Sequence, residues 1–362
     1  MMIVFYFLAI HSSLAQDKDS VETKKDSTNK RQLSLDAYPY AFYTPETELA
    51  VGAGGILIFF AGDSSIVKPS KVVLGGYYTT NNQYYLSLDP ELYFFNNYLF
   101  ISMPVNFGYY VTNFYGIGPS TPDTGNVSYI SRVYAGTLSV YTPPFLFPAD
   151  QVGIILDYNF TEMADKENNY YLENNAVSGS NGGEYLGYGI SALWDSRDNL
   201  FFPNHGKYTL LEFISYPQGE FLYYTVELDL RNYHSFSKNH VIASQLYSFN
   251  AVGNVPFYAL PKLGGQYKMR GYYEGRYVDN AYLTFQLEYR QYFWWRFGYV
   301  IFGSTGTVAS SPIKYQMSEM KITFGAGLRF LFNEQEMVNL RMDLGITTEG
   351  DRAVYFGIEE AF

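Results

Sequence analysis

The residues best placed to do chemistry lie in Leu263–Asn280, LGGQYKMRGYYEGRYVDN, and in the segment that follows, AYLTFQLEYRQYF. Gly264 and Gly265 lead to Arg270-Gly271-Tyr272, then to Arg276-Tyr277 and Asp279-Asn280, a polar, glycine-punctuated loop rich in tyrosine. Beyond it Leu283, Phe285, Leu287 and Tyr289 alternate with Thr284, Gln286, Glu288 and Arg290. That is the period-two mark of a strand with one apolar and one polar face. The chemistry on offer is electrostatic rather than covalent. A guanidinium presents a planar fork that grips carboxylates. An arginine on a loop beside a glutamate on the next strand therefore reads as a latch, with Arg270 pairing Glu288 if the loop folds inward. The competing arrangement is an external loop with Arg270 in solvent.

Reaction chemistry has little to work with. The chain has no Cys, so neither disulfides nor thiolate catalysis is available. His11 falls in the apolar N-terminus, and His205, His234 and His240 sit in or near turns with no metal-pair spacing on one strand face. No histidine stands beside a nucleophile or second acid as hydrolysis requires. Asp195, Arg197 and Asp198, in WDSRDNLFFPNHGKY (Trp194–Tyr208), read as a salt-bridged turn cap in preference to an acidic site. The Gly264-Gly265 and Gly271–Gly275 clusters do not pass from strand to helix, so no nucleotide loop is supported. The expectation is no enzyme, no cofactor and no metal.

The elements that must position the latch are strands. The 362 residues include 38 Tyr and 29 Phe but only 3 Trp. So many phenols suit a surface that is apolar at the ring and wet at the hydroxyl. Mean hydropathy is −0.14, and no interior run approaches the ~20 apolar residues of a spanning helix. A net charge of −11 argues against nucleic acid. Met1–Ile10 is apolar, and Ser13 and Ala15 place small residues before Gln16, which predicts a secretory signal peptide over 1–15 despite the missing basic start. Residues 16–32 mix charges of both signs with almost nothing apolar and are expected to be a disordered tail.

From Leu33 to Phe362 the chain reads as one β domain. In FLYYTVELDLRNY, Tyr224, Val226, Leu228 and Leu230 oppose Thr225, Glu227, Asp229 and Arg231; in VNLRMDLGIT, Val338, Leu340, Met342, Leu344 and Ile346 oppose Asn339, Arg341, Asp343 and Gly345. Charged faces cannot hide in a dry core. A sandwich would turn them to solvent, and a membrane barrel would turn them to a wet lumen. Alternation alone does not separate the two; the secretion signal and the tyrosines favour the barrel. Segment counting gives about sixteen antiparallel strands, centred from Tyr40 to Phe356. Short connections (FFNN, PPFLFPAD) fall on one side, and long ones (NFYGIGPSTPDTGNVS, DKENNYYLENNAVSGSNGGE and the Arg270 loop) on the other.

The loop around Arg270-Gly271-Tyr272 with Glu288 resembles the lid of the bacterial surface antigen superfamily, the BamA/TamA-like outer-membrane barrels. WDSRDNLFFPNHGKY resembles that superfamily's strand-turn motif at Asp195, Arg197, Asp198, Asn199, Pro203 and Gly206. TPETELAVGAGG resembles its opening hairpin, and GAGLRFLFNEQEMVNLRMDLGI with the ending on Phe362 resembles its closing strands. The resemblance covers roughly residues 33–362 and implies a bacterial outer-membrane location and a barrel-only branch, since only a short tail stands where POTRA domains usually precede the barrel. It implies that an inward lid is held by Arg270, and that protein or lipid is moved or inserted through the lumen or a lateral seam. Membrane lipids, a protein or lipid substrate, and outer-membrane or periplasmic proteins are the implied partners. The alternative is a passive pore or a structural subunit. Two positions depart from the pattern: Ser304 stands where the family's second latch acid is usual, and Glu360 where an apolar residue is common. Lumen-side Gly325 and Gly327 are expected to make room for the lid.

The seam is expected where LSLDAYPYAFY meets AVYFGIEEAF, the pairing that a closed barrel requires. Pro39 lacks the N–H a ladder needs, and Glu359 and Glu360 would repel other acids brought close by pairing. Both features are expected to weaken this junction.

Overall fold

The computed structural model describes residues 10–11, 33–44, 48–125, 127–145, 147–175, 177–237 and 240–362. The predicted tail, 16–32, lies outside the described residues, as does most of the predicted signal peptide. Almost all the rest is antiparallel strand. The staves are β1 (Ser34–Thr44), β2 (Glu48–Phe59), β3 (Ser70–Thr79), β4 (Tyr84–Phe94), β5 (Leu99–Ser102 with Val105–Asn113), β6 (Ser128–Thr142), β7 (Gln151–Asp165) and β8 (Gly182–Asp195). They continue as β9 (Gly206–Gly219), β10 (Tyr223–Ser237), β11 (His240–Gly253), β12 (Ala281–Trp294), β13 (Phe297–Ala309), β14 (Lys321–Asn333), β15 (Val338–Thr347) and β16 (Arg352–Ile358). Each pairs with its sequence neighbour, giving the sixteen-stave meander read from the sequence. The break in β5 keeps register: Ser102 faces Glu91 and Val105 faces Leu88. Pro104 has no N–H to give, and Pro90 sits opposite on β4, so the ladder skips there without slipping.

Side-chain parity settles the question that alternation left open. On β12, Thr284, Gln286, Glu288 and Arg290 are buried while Phe285 and Leu287 are exposed; on β14, Arg329 is buried while Phe324 and Leu328 are exposed. Charges inside and an apolar surface outside invert the soluble pattern and suit hydrocarbon. The fold is a transmembrane β-barrel. Among the described residues no helix is long and apolar enough to cross a membrane.

The rim that holds Ser34 and Ile358 is called the lower rim here. It carries all three tryptophans: Trp194 lies 6.1 Å from Phe147, Trp294 stacks on Phe297 at 5.7 Å, and Trp295 meets Phe330. Such a girdle sits well at a membrane–water boundary. The 196–205 turn, between β8 and β9, folds up into this mouth. Its Phe201 packs on Ile56, Ile58 and Val338, and Phe202 lies 5.1 Å from Tyr292. At the upper rim, Phe114, Tyr129, Leu172, Phe257 and their neighbours form an apolar cap.

The closure differs from expectation. Among the described residues no backbone ladder joins β1 to β16: β16 pairs only with β15, and β1 pairs with β2 along its whole length, straight through Pro39 opposite Ala53. Among the described residues the other edge of β1 pairs with Ile10–His11, opposite Ala37 and Asp36. Side chains bridge the lower end instead. Lys71 Nζ lies 3.0 Å from Glu359, and Asn333 Nδ2 donates to Ser34 Oγ at 2.9 Å and to Asp36 Oδ2 at 3.1 Å. Glu359 therefore binds a cation across the junction, contrary to the expected repulsion. Phe362 is not on a stave at all; it lies inside the barrel, buried with Tyr233 and Ala243.

Candidate functional site: the lid and its anchors

The segment between β11 and β12 enters the barrel from above. A two-stranded ribbon, Lys262–Leu263 with Tyr277–Val278, forms its base. The tip turns at Met269, whose carbonyl accepts from Tyr272 N. Gly271 has φ +121°, a conformation that side-chained residues rarely adopt. The turn drives Arg270 against the wall, where it is fully buried.

Arg270 Nη2 bonds Glu288 Oε1 and Nη1 bonds Asp343 Oδ2 at 2.7 Å, while the guanidinium lies 3.6 Å over the Phe302 ring. Its fork spans β12 and β15, with the two staves β13 and β14 between them. Both acids serve further cations. Glu288 Oε2 accepts from Arg290 Nε at 2.8 Å, and Asp343 accepts from Arg329 Nη1 at 2.6 Å and Arg341 Nη1 at 3.0 Å. Arg341 in turn donates to the Gln266 carbonyl of the lid at 3.0 Å. Ions so enclosed are tolerable only when paired and hydrogen-bonded throughout.

Gly271 and Tyr272 are held by the last stave. Gly271 N donates to Tyr355 Oη at 3.0 Å, and Tyr355 Oη donates to the Tyr272 carbonyl at 3.1 Å. Ser304 faces inward nearby, but its Oγ has no hydrogen-bond partner. The second anchoring acid is Asp343, which the sequence reading placed on a lumen face without linking it to Arg270. The seating glycine also differs. A Cβ on Gly327 would strike the Asp343 carboxylate and one on Gly325 the Phe302 ring, so those two make room for wall side chains. The lid backbone rests on Gly345, where a Cβ would lie 2.5 Å from the Arg270 carbonyl group. Gly345→Ala is therefore expected to lift the lid tip with every latch side chain intact. Proteolysis within 263–278 of the folded barrel should become faster; an unchanged rate would show that the lid adjusts around the methyl group.

Lys268 of the lid points its ammonium over Tyr247 at 3.8 Å. Burial pushes that ammonium below its ordinary pKa, while Glu227 and Asp229 pull it upward. Lys268, Tyr247 and Glu227 border a lumen chamber of about 430 Å³ with Glu212, Tyr216 and Glu274.

The residues of the strand-turn motif are brought together at the lower rim. Arg197 donates to Asp195 through Nε at 2.8 Å and Nη2 at 3.0 Å. Asp198 Oδ1 accepts from Asn204 N and His205 N, and Asn199 Oδ1 from Phe201 N and Phe202 N. Gly206 has φ +106°, with the Ser196 carbonyl where a Cβ would stand, and Pro203 is buried. The motif shapes the turn that carries Phe201 and Phe202 into the mouth.

A cavity of about 930 Å³ lies where β1 and β16 fail to pair. Its walls include Tyr38 and Tyr40 of β1, Tyr272 of the lid, inner-face Tyr355 and outer-face Val354 and Phe356 of β16. Because both faces of β16 border one cavity, the edge of that stave turned away from β15 runs along it. The seam residue Pro39 faces outward and is exposed beside this gap.

Comparison with known proteins places this geometry. The Omp85 superfamily domain matches residues 74–362. Among solved structures, BamA from Haemophilus ducreyi lacking POTRA domains 1–3 is similar at 14% identity and TM-score 0.57, covering 91% of this chain and 70% of its own. CdiB from Acinetobacter baumannii is similar at 9% identity and TM-score 0.57, covering 90% of this chain and 59% of its own. The chain thus spans about six-tenths of the length of the CdiB structure. At these identities the likeness is one of fold. No curated protein matches.

Proposed function

This chain belongs to the Omp85 superfamily, and we propose that it is a lid-gated barrel of the bacterial outer membrane that inserts or translocates protein clients, passing them sideways through the β1–β16 junction. The observation that carries this reading is that among the described residues no ladder joins β1 to β16, with one cavity there bordered by the lid and by both faces of β16. Unpaired edges offer backbone donors and acceptors to another chain, and they are costly in lipid unless something satisfies them. The lower rim is then periplasmic and the lid side external. A passive pore fits less well, because the lid fills the lumen from above and Phe201 and Phe202 close it from below.

Depletion of the protein from its native cell, followed by surveys of outer-membrane proteins and lipids, tests the reading. Other outer-membrane proteins should fall in amount or lose their folded form. A change confined to lipids would make lipid the client. Unchanged proteins and lipids, with steady conductance of the purified barrel in planar bilayers, would make it a pore.

A further inference from the structure

We infer that closing of the lid and docking of residues 359–362 inside the barrel are one coupled step, with Arg290 and Arg329 shared between them. β16 ends at Ile358, and the chain then turns inward through Glu359 at φ +67°, an unusual conformation for a residue with a side chain. Glu359 N donates to the Asn339 carbonyl at 2.8 Å. Glu360 then points into the lumen, where Oε2 accepts from Arg329 Nε at 2.8 Å and Oε1 from Asn339 Nδ2 at 2.9 Å. Phe362 lies under the Arg290 guanidinium, 5.1 Å from ring centre to Cζ, and its carbonyl accepts from Arg290 Nη2 at 2.8 Å.

Each of these arginines has its other hand on a lid anchor. Arg290 holds Glu288 and Arg329 holds Asp343, the two acids that grip Arg270. Two routes thus run from the lid to the docked segment: Arg270–Glu288–Arg290–Phe362 and Arg270–Asp343–Arg329–Glu360. If Arg270 withdraws, Glu288 and Asp343 each lose a donor in a buried site. The nearest replacements come from Arg290, Arg329 and Arg341, and any shift of Arg290 or Arg329 toward these acids pulls on its bonds to 360–362. If 360–362 leave first, the two arginines lose acceptors and turn to the same acids, in competition with Arg270. Closed lid and docked segment therefore stabilise each other, and linkage makes the effect reciprocal. Residues 359–362 continue the stave that borders the junction, and Tyr355 on that stave also grips the lid. On the lateral route proposed above, lid opening would then free the end of β16.

The Cys-free chain allows single-cysteine probes. Ala361→Cys and, separately, Met269→Cys would be labelled with a maleimide in the folded, bilayer-embedded barrel, since both positions are buried when docked. Arg270→Ala should speed labelling of Ala361→Cys at least about fivefold, the lower end of ordinary coupling between sites, although Arg270 does not touch that segment. Glu360→Gln should speed labelling of Met269→Cys by a similar factor. Arg270→Ala leaves three arginines against three acids in this network, which favours folding; should it not fold, Gly345→Ala displaces the lid without removing a charge. Lid labelling that accelerates while Ala361→Cys stays at its original rate would overturn the coupling. The readout is independent of transport. Coupled labelling with no effect of depletion would keep this inference and remove the proposed function, and the opposite pair of results would do the reverse.

Discussion

Arg270→Ala is expected to open the lid, raising both protease access to residues 263–278 and the conductance of the purified barrel. The arginine is the one lid side chain bonded to both Glu288 and Asp343. Removing one member of a buried ion pair costs about 3–5 kcal/mol, because the partner charge is left buried and poorly satisfied. Here Arg290, Arg329 and Arg341 still contact the two acids, so the lower end applies. A loss of about 3 kcal/mol multiplies the open fraction roughly a hundredfold. Arg270→Lys should recover only part of this, since an ammonium is a point charge and lacks the fork that reaches two staves at once. The pair is enclosed, so added salt should change lid opening little in the unmutated barrel. Unchanged proteolysis and conductance in Arg270→Ala would mean that the ribbon and the Tyr355 clamp hold the lid without the arginine.

The barrel was legible because membrane staves repeat one simple rule. Charge on every second residue of β12 or β15 cannot face lipid or a dry core, so parity alone sorts Glu288, Arg341 and Asp343 to the lumen. The pairing of Arg270 with Glu288 was also within reach, since loop and stave are adjacent in the chain. Asp343 was harder, for it lies 73 residues from Arg270, and strand order gives a neighbour's identity but not the depth at which a lid tip comes to rest. The glycines show the same limit. Gly325, Gly327 and Gly345 all face the lumen, and only the path of the lid distinguishes the one it rests on. Glu359 and Glu360 looked like a single acidic end, yet the chain turns between them and they take different partners. One binds Lys71 of β3 across the junction and the other Arg329 of β14. No period announces that turn, because it departs from the strand geometry on which periodicity rests.

Fixing the junction shut is expected to abolish the protein's activity in cells while leaving the barrel folded. One cysteine would be scanned through residues 38–41 and the other through 353–358, in a chain with no cysteine of its own to compete. These segments belong to β1 and β16, which no ladder joins among the described residues, and both border the 930 Å³ cavity. Disulfide formation requires Cα atoms about 4.4–6.8 Å apart, so the positions that oxidise would also map how closely the two edges approach. Pro39 belongs in the scan, because its ring stands at an edge where, among the described residues, no ladder holds β1 to β16. A client passing sideways must separate these edges, and a covalent bridge prevents it whatever the state of the lid. Activity should vanish on oxidation and return on reduction, with single-cysteine chains unaffected by either treatment. Full activity in a chain shown to be crosslinked would leave the lumen as the route, with the β1–β16 junction serving another purpose.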